Sequence, residues 1–343
     1  MWEQCVVIRF QRYRIEGALL AVFTMATLQA AYAQQPRART LTYDADRKEW
    51  VELPPPAPGT PEGDLHAIRV QIKQGKYRPA FSAITEFIDR YGESHPLCPE
   101  VRLARAEALI GRREYHKAHI VLQEFLGEFG GMALTSDALR LEFIIAEAYL
   151  GGVKRKVWGV RLLSGEDVAF RILDEISADY PESRLAELAI KTKADHLFMS
   201  GEHALAELEY ARLLRDYPQS RYHQLALRRS ADAAMASFAG VDYDEAALVE
   251  AEERYREYRL RYPAEADRNG VALILDRVRE IRAEKDFSVG EFYEWTNHAG
   301  SAVFHYQLVH DTWPETIAAT KATARLELLG ALETVDTKEA PDK

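Results

Sequence analysis

The sequence GEHALAELEYARLLRDYPQS at residues 201–220 predicts one helix that ends at a defined point. Ala206 and Tyr210 lie four residues apart, so they share one face of that helix. The small alanine lets a neighbouring helix come close, and the tyrosine fills the space beside it. Pro218 cannot continue the helix, because it lacks a backbone N–H and its ring clashes with the preceding turn. We therefore predict a close helix crossing at Ala206 and a turn at Pro218.

The same pattern occurs six times along the chain, and each copy ends at a glycine or proline that we call its stop. An alanine lies twelve residues before each stop, a large residue eight before it, and an aromatic residue directly before it. The stops are Gly92, Gly130, Pro181, Pro218, Pro263 and Pro314. The alanines are Ala80, Ala118, Ala169, Ala206, Ala251 and Ala302. The large residues are Ile84, Leu122, Leu173, Tyr210, Tyr255 and Tyr306. The aromatic residues are Tyr91, Phe129, Tyr180, Tyr217, Tyr262 and Trp313.

The spacing of the alanines identifies the kind of repeat. Successive alanines are 38, 51, 37, 45 and 51 residues apart. Tetratricopeptide repeats are helix-turn-helix units of about 34 residues, so these copies resemble such units with residues added. The sequence therefore predicts an all-α fold, a right-handed solenoid of about five to six tetratricopeptide-like repeats with a C-terminal capping helix.

Composition is consistent with a large helical core and argues against a nucleic-acid partner. The 343 residues are 47% hydrophobic and 29% charged, and the net charge is −10 with both signs interspersed. Nucleic-acid binding needs a basic stripe that displaces counterions from phosphates, and the sequence has no such stripe.

The chain divides into four segments by composition. Residues 1–33 resemble a secretory signal peptide, with three arginines, an apolar run and a small-x-small site at Ala31-Tyr32-Ala33. Residues 34–63 form a proline-rich tether, residues 64–333 the repeat domain, and residues 334–343 a polar tail that we expect to be disordered. No cysteine directly follows the apolar run, so we expect an exported protein held at a membrane peripherally, without a lipid anchor.

Local signals give expected helix boundaries. Asp64 is the expected N-cap of the first helix, and Ser183 and Ser220 are the expected caps of two later helices. The segment 267–295 is expected to form one long helix, or two with a kink near Gly290. A terminal helix is expected over Thr316–Glu333.

Six residues are candidates for partner binding. Trp50 and Trp158 lie outside the repeat register, so packing within the repeats does not explain them. Two arginine pairs on helices could donate hydrogen bonds to backbone carbonyls or to a terminal carboxylate of a bound peptide. These arginines are Arg102, Arg105, Arg228 and Arg229.

The sequence contains no catalytic constellation, and we expect no cofactor, no catalytic residue and no metal site. His116 and His119 share a helix face and could hold a metal together with Glu114. Two histidines do not make a site, and a solvated helix face explains them better. An envelope enzyme would need a catalytic module outside the repeats, where only the tether and the insertion at residues 151–163 are available.

The last repeat carries a resemblance to a known family. The run Asp286-Phe-Ser-Val-Gly-Glu-Phe-Tyr293 precedes Ala302 and the stop Trp313-Pro-Glu-Thr316. These residues, with the export signal and the repeated Tyr-Pro stops, resemble the BamD (YfiO) family of the outer-membrane protein assembly machine. The resemblance covers roughly residues 64–333. His305 stands where that family often has an arginine late in the last repeat.

The resemblance implies a non-enzymatic periplasmic scaffold at the outer membrane. It implies binding to the β-barrel insertase, to unfolded outer-membrane proteins, or to both. The missing lipid-anchor cysteine, the tether and the insertion depart from the family pattern. An adaptor for cell-wall synthesis or envelope constriction is the alternative function within the same fold.

Overall fold

Helices that pack against their neighbours in sequence make up most of the chain. The computed structural model describes residues 41–44, 49–52, 55–131, 133–157, 160–238, 240 and 244–331. The chain divides into two compact units, residues 1–67 and residues 68–343. The helices are α1 (Pro61–Lys73), α2 (Tyr77–Tyr91), α3 (Cys98–Gly111), α4 (Tyr115–Phe129), α5 (Thr135–Leu150), α6 (Glu166–Asp179), α7 (Ala186–Ser200), α8 (His203–Asp216), α9 (His223–Ser237), α10 (Ala246–Arg261), α11 (Pro263–Arg268), α12 (Val271–Trp295), α13 (Ala299–Thr312) and α14 (Ile317–Leu328).

The predicted register of the repeats is confirmed. All six alanines twelve residues before the stops are fully buried, with 0% of their surface exposed. The six large residues one turn later are at most 2% exposed. These twelve residues lie on α2, α4, α6, α8, α10 and α13, the second helices of the repeats. The aromatic residue before each stop is half-buried in every copy.

The tetratricopeptide-like architecture follows from the contacts between these helices. From α2 to α10 each helix packs against the next, and α12 packs against α13. The last helix, α14, contacts both α13 and α12 and so covers the final pair, as the predicted capping helix should. Buried apolar residues form four clusters along the array, each shared by neighbouring helices.

Three predicted N-caps were wrong, because a turn precedes each of these helices. The first helix begins at Pro61, where the backbone N–H of Gly63 donates to Thr60 Oγ1 at 3.1 Å. Proline suits this first helical position, since its missing N–H would have no partner there. Ser183 and Ser220 accept from the N–H groups two residues later, at 3.2 and 3.0 Å, and stabilise the turns before α7 and α9.

The long helix α12 is unbroken at Gly290, so of the two expected alternatives the structure has one long helix rather than two with a kink. The interruption lies earlier, at Gly270, which has a φ of +65° and separates the short helix α11 from α12. Gly290 has a packing role instead. A Cβ at this position would lie 2.6 Å from the Tyr306 ring, so only glycine admits that tyrosine.

Two short hairpins lie outside the helical repeats. In the first unit, β1 (Leu41–Asp44) pairs antiparallel with β2 (Glu49–Glu52). The tether therefore contains a strand pair. Between α5 and α6, β3 (Arg155–Val157) pairs antiparallel with β4 (Val160–Leu163). This second hairpin accounts for the insertion predicted at residues 151–163.

Candidate partner-binding surfaces

The first arginine pair lies on α3 and is engaged with neighbouring helices. Arg102 forms an ion pair with Glu128 of α4, and its guanidinium lies 5.3 Å from the centre of the Phe129 ring. Arg105 is exposed and lies 5.6 Å from the centre of the Phe81 ring on α2. Arg102 is thus held inside its own repeat, whereas Arg105 keeps an accessible guanidinium.

The second arginine pair lies on α9, beside a carboxylate. Arg228 donates to Asn269 Oδ1 at 3.1 Å, and Arg229 lies 4.9 Å from the centre of the Phe198 ring on α7. Both guanidinium groups are within 3.9 Å of Asp232 Oδ2. These arginines therefore help to neutralise Asp232, which also accepts a hydrogen bond from Tyr255 at 2.7 Å.

The six predicted binding residues do not form one site. Within the described residues, no hydrogen bond, ion pair or ring contact joins the arginines of α3 to those of α9. Trp50 lies in β2, opposite Tyr43 in the strand register. Trp158 lies outside the described residues. The role of all six in partner binding stays a prediction.

An exposed apolar surface on the last helix pair was missed in the sequence. Trp295 at the end of α12 is 81% exposed, and Phe304 on α13 is 62% exposed. Phe292 and Leu308 are exposed on the same two helices. We call these four residues the C-terminal aromatic surface. Phe304 and Leu308 are spaced i,i+4 and lie two residues beyond Ala302 and Tyr306, so the repeat register places them off the buried face.

A series of ring contacts runs across this surface from one helix to the other. Phe292 contacts Tyr293 at 5.6 Å between ring centres, and Tyr293 stacks on His305 of α13 at 5.3 Å. His305 in turn meets Phe304 at 5.4 Å. His305 thus joins the two halves of the C-terminal aromatic surface.

A second feature is an acidic cavity of about 220 Å³ between α4, α5 and α6. Glu142 in its wall is 1% exposed and accepts from His119 at 2.8 Å and from Gln123 at 3.2 Å. Gln123 also donates to Glu175, at 3.1 Å, so it bridges two carboxylates. Burial raises the pKa of Glu142, despite the hydrogen bond from His119.

The solvated helix face that the sequence favoured holds for the exposed His116 but was wrong for His119, whose side chain is half-buried beside Glu142. His119 is turned to Glu142, and Glu114 pairs with Arg112 at 2.7 Å and with Lys117 at 2.9 Å. Across the ranges that the structure describes, no group of three His, Cys, Asp or Glu side chains is placed to hold a metal ion. In the same ranges, no helix has both the length and the apolar character needed to cross a bilayer.

Solved structures with a similar arrangement of helices are weak matches. The type IV pilus biogenesis factor PilW is 16% identical, with a TM-score of 0.30, covering 78% of this chain and 100% of its own. A tetratricopeptide repeat protein from Parabacteroides merdae is 10% identical, with a TM-score of 0.35, covering 79% of this chain and 98% of its own. With TM-scores below 0.5, neither superposition decides the fold, which rests on the helix packing above. No protein of curated function matches the sequence.

The family assignment comes from the C-terminal half of the chain. The family model described as YfiO, outer membrane lipoprotein, matches residues 161–338. This segment contains α6 to α14, the C-terminal aromatic surface and the last four stops. The matched segment is more than half of the 343 residues. The chain therefore belongs to the YfiO (BamD) family.

Proposed function

We propose that this chain is a non-enzymatic scaffold of the cell envelope, placed in the periplasm against the outer membrane. Its partners are the β-barrel insertase, unfolded outer-membrane proteins, or both, during outer-membrane assembly. Membership of the YfiO family and a tetratricopeptide-like array support a role in protein–protein interaction.

The C-terminal aromatic surface is the observation that carries the proposal. Exposing large aromatic side chains to water is unfavourable in free energy, and contiguous exposed aromatic residues mark interaction sites. Interface hot spots are enriched in tryptophan and other aromatic residues that fill pockets on a partner. This surface lies within the segment that matches the family, on the last helix pair.

The surface also has acidic and polar residues at its edges, as protein interfaces do. Glu291 is exposed next to Phe292, and Asp311 is exposed one turn after Leu308. Glu294 is held by Arg325 of α14 at 2.6 Å, which fixes the end of α12 against the capping helix. A rigid apolar centre with a charged rim is suited to a folded partner domain.

An in-cell cross-link of the tagged chain, followed by membrane purification and mass spectrometry, tests the proposal. We expect the insertase to be the dominant partner. Trp295→Ala with Phe304→Ala should lower its recovery roughly tenfold or more, since truncation of a hot spot costs about 2 kcal/mol or more. Leu260→Ala is the control, because Leu260 is 84% exposed on α10, a helix that carries none of the four surface residues.

Each outcome has a distinct meaning. Recovery of the insertase by both the double variant and the control would keep the partner but reject the aromatic surface as its site. Dominant recovery of cell-wall synthases or division proteins would reject outer-membrane assembly. It would assign the chain to the adaptor function.

A further inference from the structure

The cleft between α4 and α6 contains the acidic cavity described above, with α5 as its third wall. Its lining includes Glu142 of α5 and, on α6, Glu175 and Asp179. Glu142 is 1% exposed, and Glu175 is half-buried. In the part of the chain that the structure describes, no lysine or arginine forms an ion pair with these three carboxylates, and His119 contacts Glu142 at 2.8 Å. The cavity therefore holds more acidic than basic groups.

The next two clefts of the array each contain a basic side chain of the protein itself. Lys193 of α7 contacts Asp174 of α6 at 2.8 Å and Glu209 of α8 at 2.7 Å. In the cleft between α8 and α10, Arg254 contacts Glu207 at 3.1 Å. The carboxylates of these two clefts are thus compensated from within the chain.

The repeat register places Glu142 where α7 has its lysine. Glu142 of α5, Lys193 of α7 and Ser230 of α9 each lie twelve residues after the preceding stop. Ser230 accepts from Arg254 at 2.8 Å, so the next second helix supplies the cation there. At the same position, the cleft between α4 and α6 has a carboxylate, with a cavity of about 220 Å³ beside it.

A cation in this cavity would favour the ionised form of Glu142. Burial raises the pKa of Glu142, and the nearby charge of Glu175 acts in the same direction. The folded chain therefore disfavours the ionised carboxylate, and an opposite charge close to it would reverse this effect. Gln123 donates to both carboxylates from the same nitrogen, at 3.2 and 3.1 Å. One cationic group can therefore contact both.

The apolar part of the wall favours a lysine or arginine side chain over a metal ion. The methylene groups of these side chains pack on apolar surface while the charged end stays with polar groups. Across the described ranges, the carboxylates are not grouped to hold a metal ion. The apolar lining residues are Leu126, Leu139, Ile172 and Ile176.

The cavity adjoins a wider depression of about 730 Å³ on the protein surface. Leu139, Asp179 and Tyr180 line both. The depression continues along residues 181–185, which join α6 to α7. It leaves room for the backbone of a peptide whose side chain enters the cavity.

We infer that the cavity between α4, α5 and α6 binds a lysine or arginine side chain of a partner polypeptide. Glu142 and Glu175 contact the charged group, and Leu139 and Ile176 pack on its methylene groups. The site lies on other helices than the C-terminal aromatic surface, so its test does not depend on the proposed function.

Titration of the full chain with short peptides tests the site. The probes are acetyl-Ala-Arg-Ala-amide, acetyl-Ala-Lys-Ala-amide and acetyl-Ala-citrulline-Ala-amide, in which citrulline is a neutral isostere of arginine. The ¹⁵N NMR signal of the Gln123 side-chain amide reports binding, since this amide donates to Glu142 and Glu175. We expect saturable shifts with the two basic peptides and none with the citrulline peptide.

Free guanidinium and methylammonium ions test the contribution of the methylene groups. These ions carry the charged group without the rest of the side chain. Each buried methylene contributes roughly fourfold to affinity. We therefore expect the basic peptides to bind roughly tenfold or more tightly than the free ions.

Two variants and a matched control locate the binding. Glu142→Gln and Glu175→Gln each replace a carboxylate by an amide of the same size, and should weaken binding of the arginine peptide roughly tenfold. Glu175 is half-buried, so Glu175→Gln keeps the test valid even where Glu142→Gln disturbs the fold. Glu124→Gln removes the same charge from an exposed position on α4 outside the cavity lining, and should leave binding unchanged.

Four results would overturn the inference. One is the absence of a saturable shift with either basic peptide. Another is an equal response to the arginine and citrulline peptides, which would mean that the cavity does not select for charge. Equal affinity for the free ions and the peptides would assign the site to a small cation. Equal weakening by Glu175→Gln and Glu124→Gln would mean that the peptides respond to the overall charge of the chain.

Discussion

The second helix of each repeat buries one large side chain, and the first three repeats differ from the last three in the kind of side chain they use. Eight residues before the stop, α2, α4 and α6 carry an aliphatic side chain, whereas α8, α10 and α13 carry a tyrosine. The buried alanine four residues earlier is common to all six. The aliphatic residues are Ile84, Leu122 and Leu173, and the tyrosines are Tyr210, Tyr255 and Tyr306.

Each buried tyrosine requires a polar partner that the aliphatic residues do not. The hydroxyl groups of Tyr210 and Tyr255 donate to Asp195 at 2.6 Å and to Asp232 at 2.7 Å. Tyr306 donates to Glu294 at 2.8 Å. In all three cases the carboxylate lies on the preceding helix of the same pair. A buried hydroxyl without a partner would be costly, so the tyrosine and the carboxylate must occur together.

The three carboxylates also bind cations. Lys191 lies one turn before Asp195 on α7 and pairs with it at 2.5 Å. Arg228 lies 3.7 Å from Asp232, and Arg325 lies 2.6 Å from Glu294. The later repeats therefore combine apolar packing with a polar connection between two helices. The same register is therefore held by side-chain packing alone in the first three repeats, and by packing together with a directional hydrogen bond in the last three.

Charged residues also connect successive repeats in the C-terminal half. Lys193 of α7 reaches Asp174 of α6 at 2.8 Å, and Arg254 of α10 reaches Glu207 of α8 at 3.1 Å. Arg282 of α12 reaches the buried Glu252 of α10 at 2.6 Å. Removing Arg282 would leave the buried Glu252 with Arg256 as its remaining cation, so the carboxylate would be less well compensated.

The largest expected effect comes from truncating one of the buried tyrosine side chains. Tyr210→Ala should lower the free energy of unfolding by about 3–5 kcal/mol, because it leaves a large cavity in the core. Tyr210→Phe keeps the ring and removes only the hydrogen bond to Asp195, so it should cost about 1.5–3 kcal/mol. Urea unfolding followed by circular dichroism measures both.

The corresponding aliphatic site in α4 has no hydrogen bond to lose. Leu122→Ala in α4 should cost about 2–5 kcal/mol, all of it from lost packing. If Tyr210→Phe were as stable as the unmodified chain, the polar connection would be dispensable. The tyrosine position of α8 would then be held by packing alone, like the aliphatic position of α4.

The next prediction concerns the buried alanine that both halves of the array share. Ala206→Leu in α8 and Ala118→Leu in α4 should each lower the free energy of unfolding by about 1–3 kcal/mol, since both enlarge a fully buried crossing point. Urea midpoints of the two variants should shift in the same direction. Ala211, half-buried on α8, provides a control in Ala211→Leu, which should cost less. A near-zero shift in either crossing variant would mean that its helices do not meet at that alanine.

The register was predictable from sequence because it repeats. Six alanines in the same phase with six stops overdetermine the helix face, and periodicity is the strongest signal of buried faces. Thr316 shows how a local signal can also suffice, since its Oγ1 accepts from the N–H of Ala319 at 3.0 Å at the start of α14. The break at Gly270 was missed because the expected helix was started at position 267, three residues before this glycine.

Other features have no periodic signal. The partners of the tyrosines lie 12 to 23 residues away along the chain, on another helix, so no local pattern identifies Asp195 or Asp232. The strands of β3–β4 contain too few residues for alternation to be recognised. Recognising the C-terminal aromatic surface requires knowing which side chains are exposed to solvent, and composition does not show this. These contacts depend on how helices are arranged in space.

The smallest expected effect is a loss of stability at alkaline pH that depends on Tyr306. Burial and the hydrogen bond to Glu294 raise the pKa of Tyr306 to about 12, above the value near 10 of an exposed phenol. Because the folded state favours the protonated phenol, its contribution to stability is complete below pH 10 and is lost between about pH 10 and 12. The stability difference between the unmodified chain and Tyr306→Phe should be constant up to pH 10 and then fall. Urea unfolding of both chains across this range measures it, with lysine titration common to the two. A difference that stays constant to pH 12 would show that Tyr306 ionises equally in the folded and unfolded states, and would remove the polar connection from the last repeat.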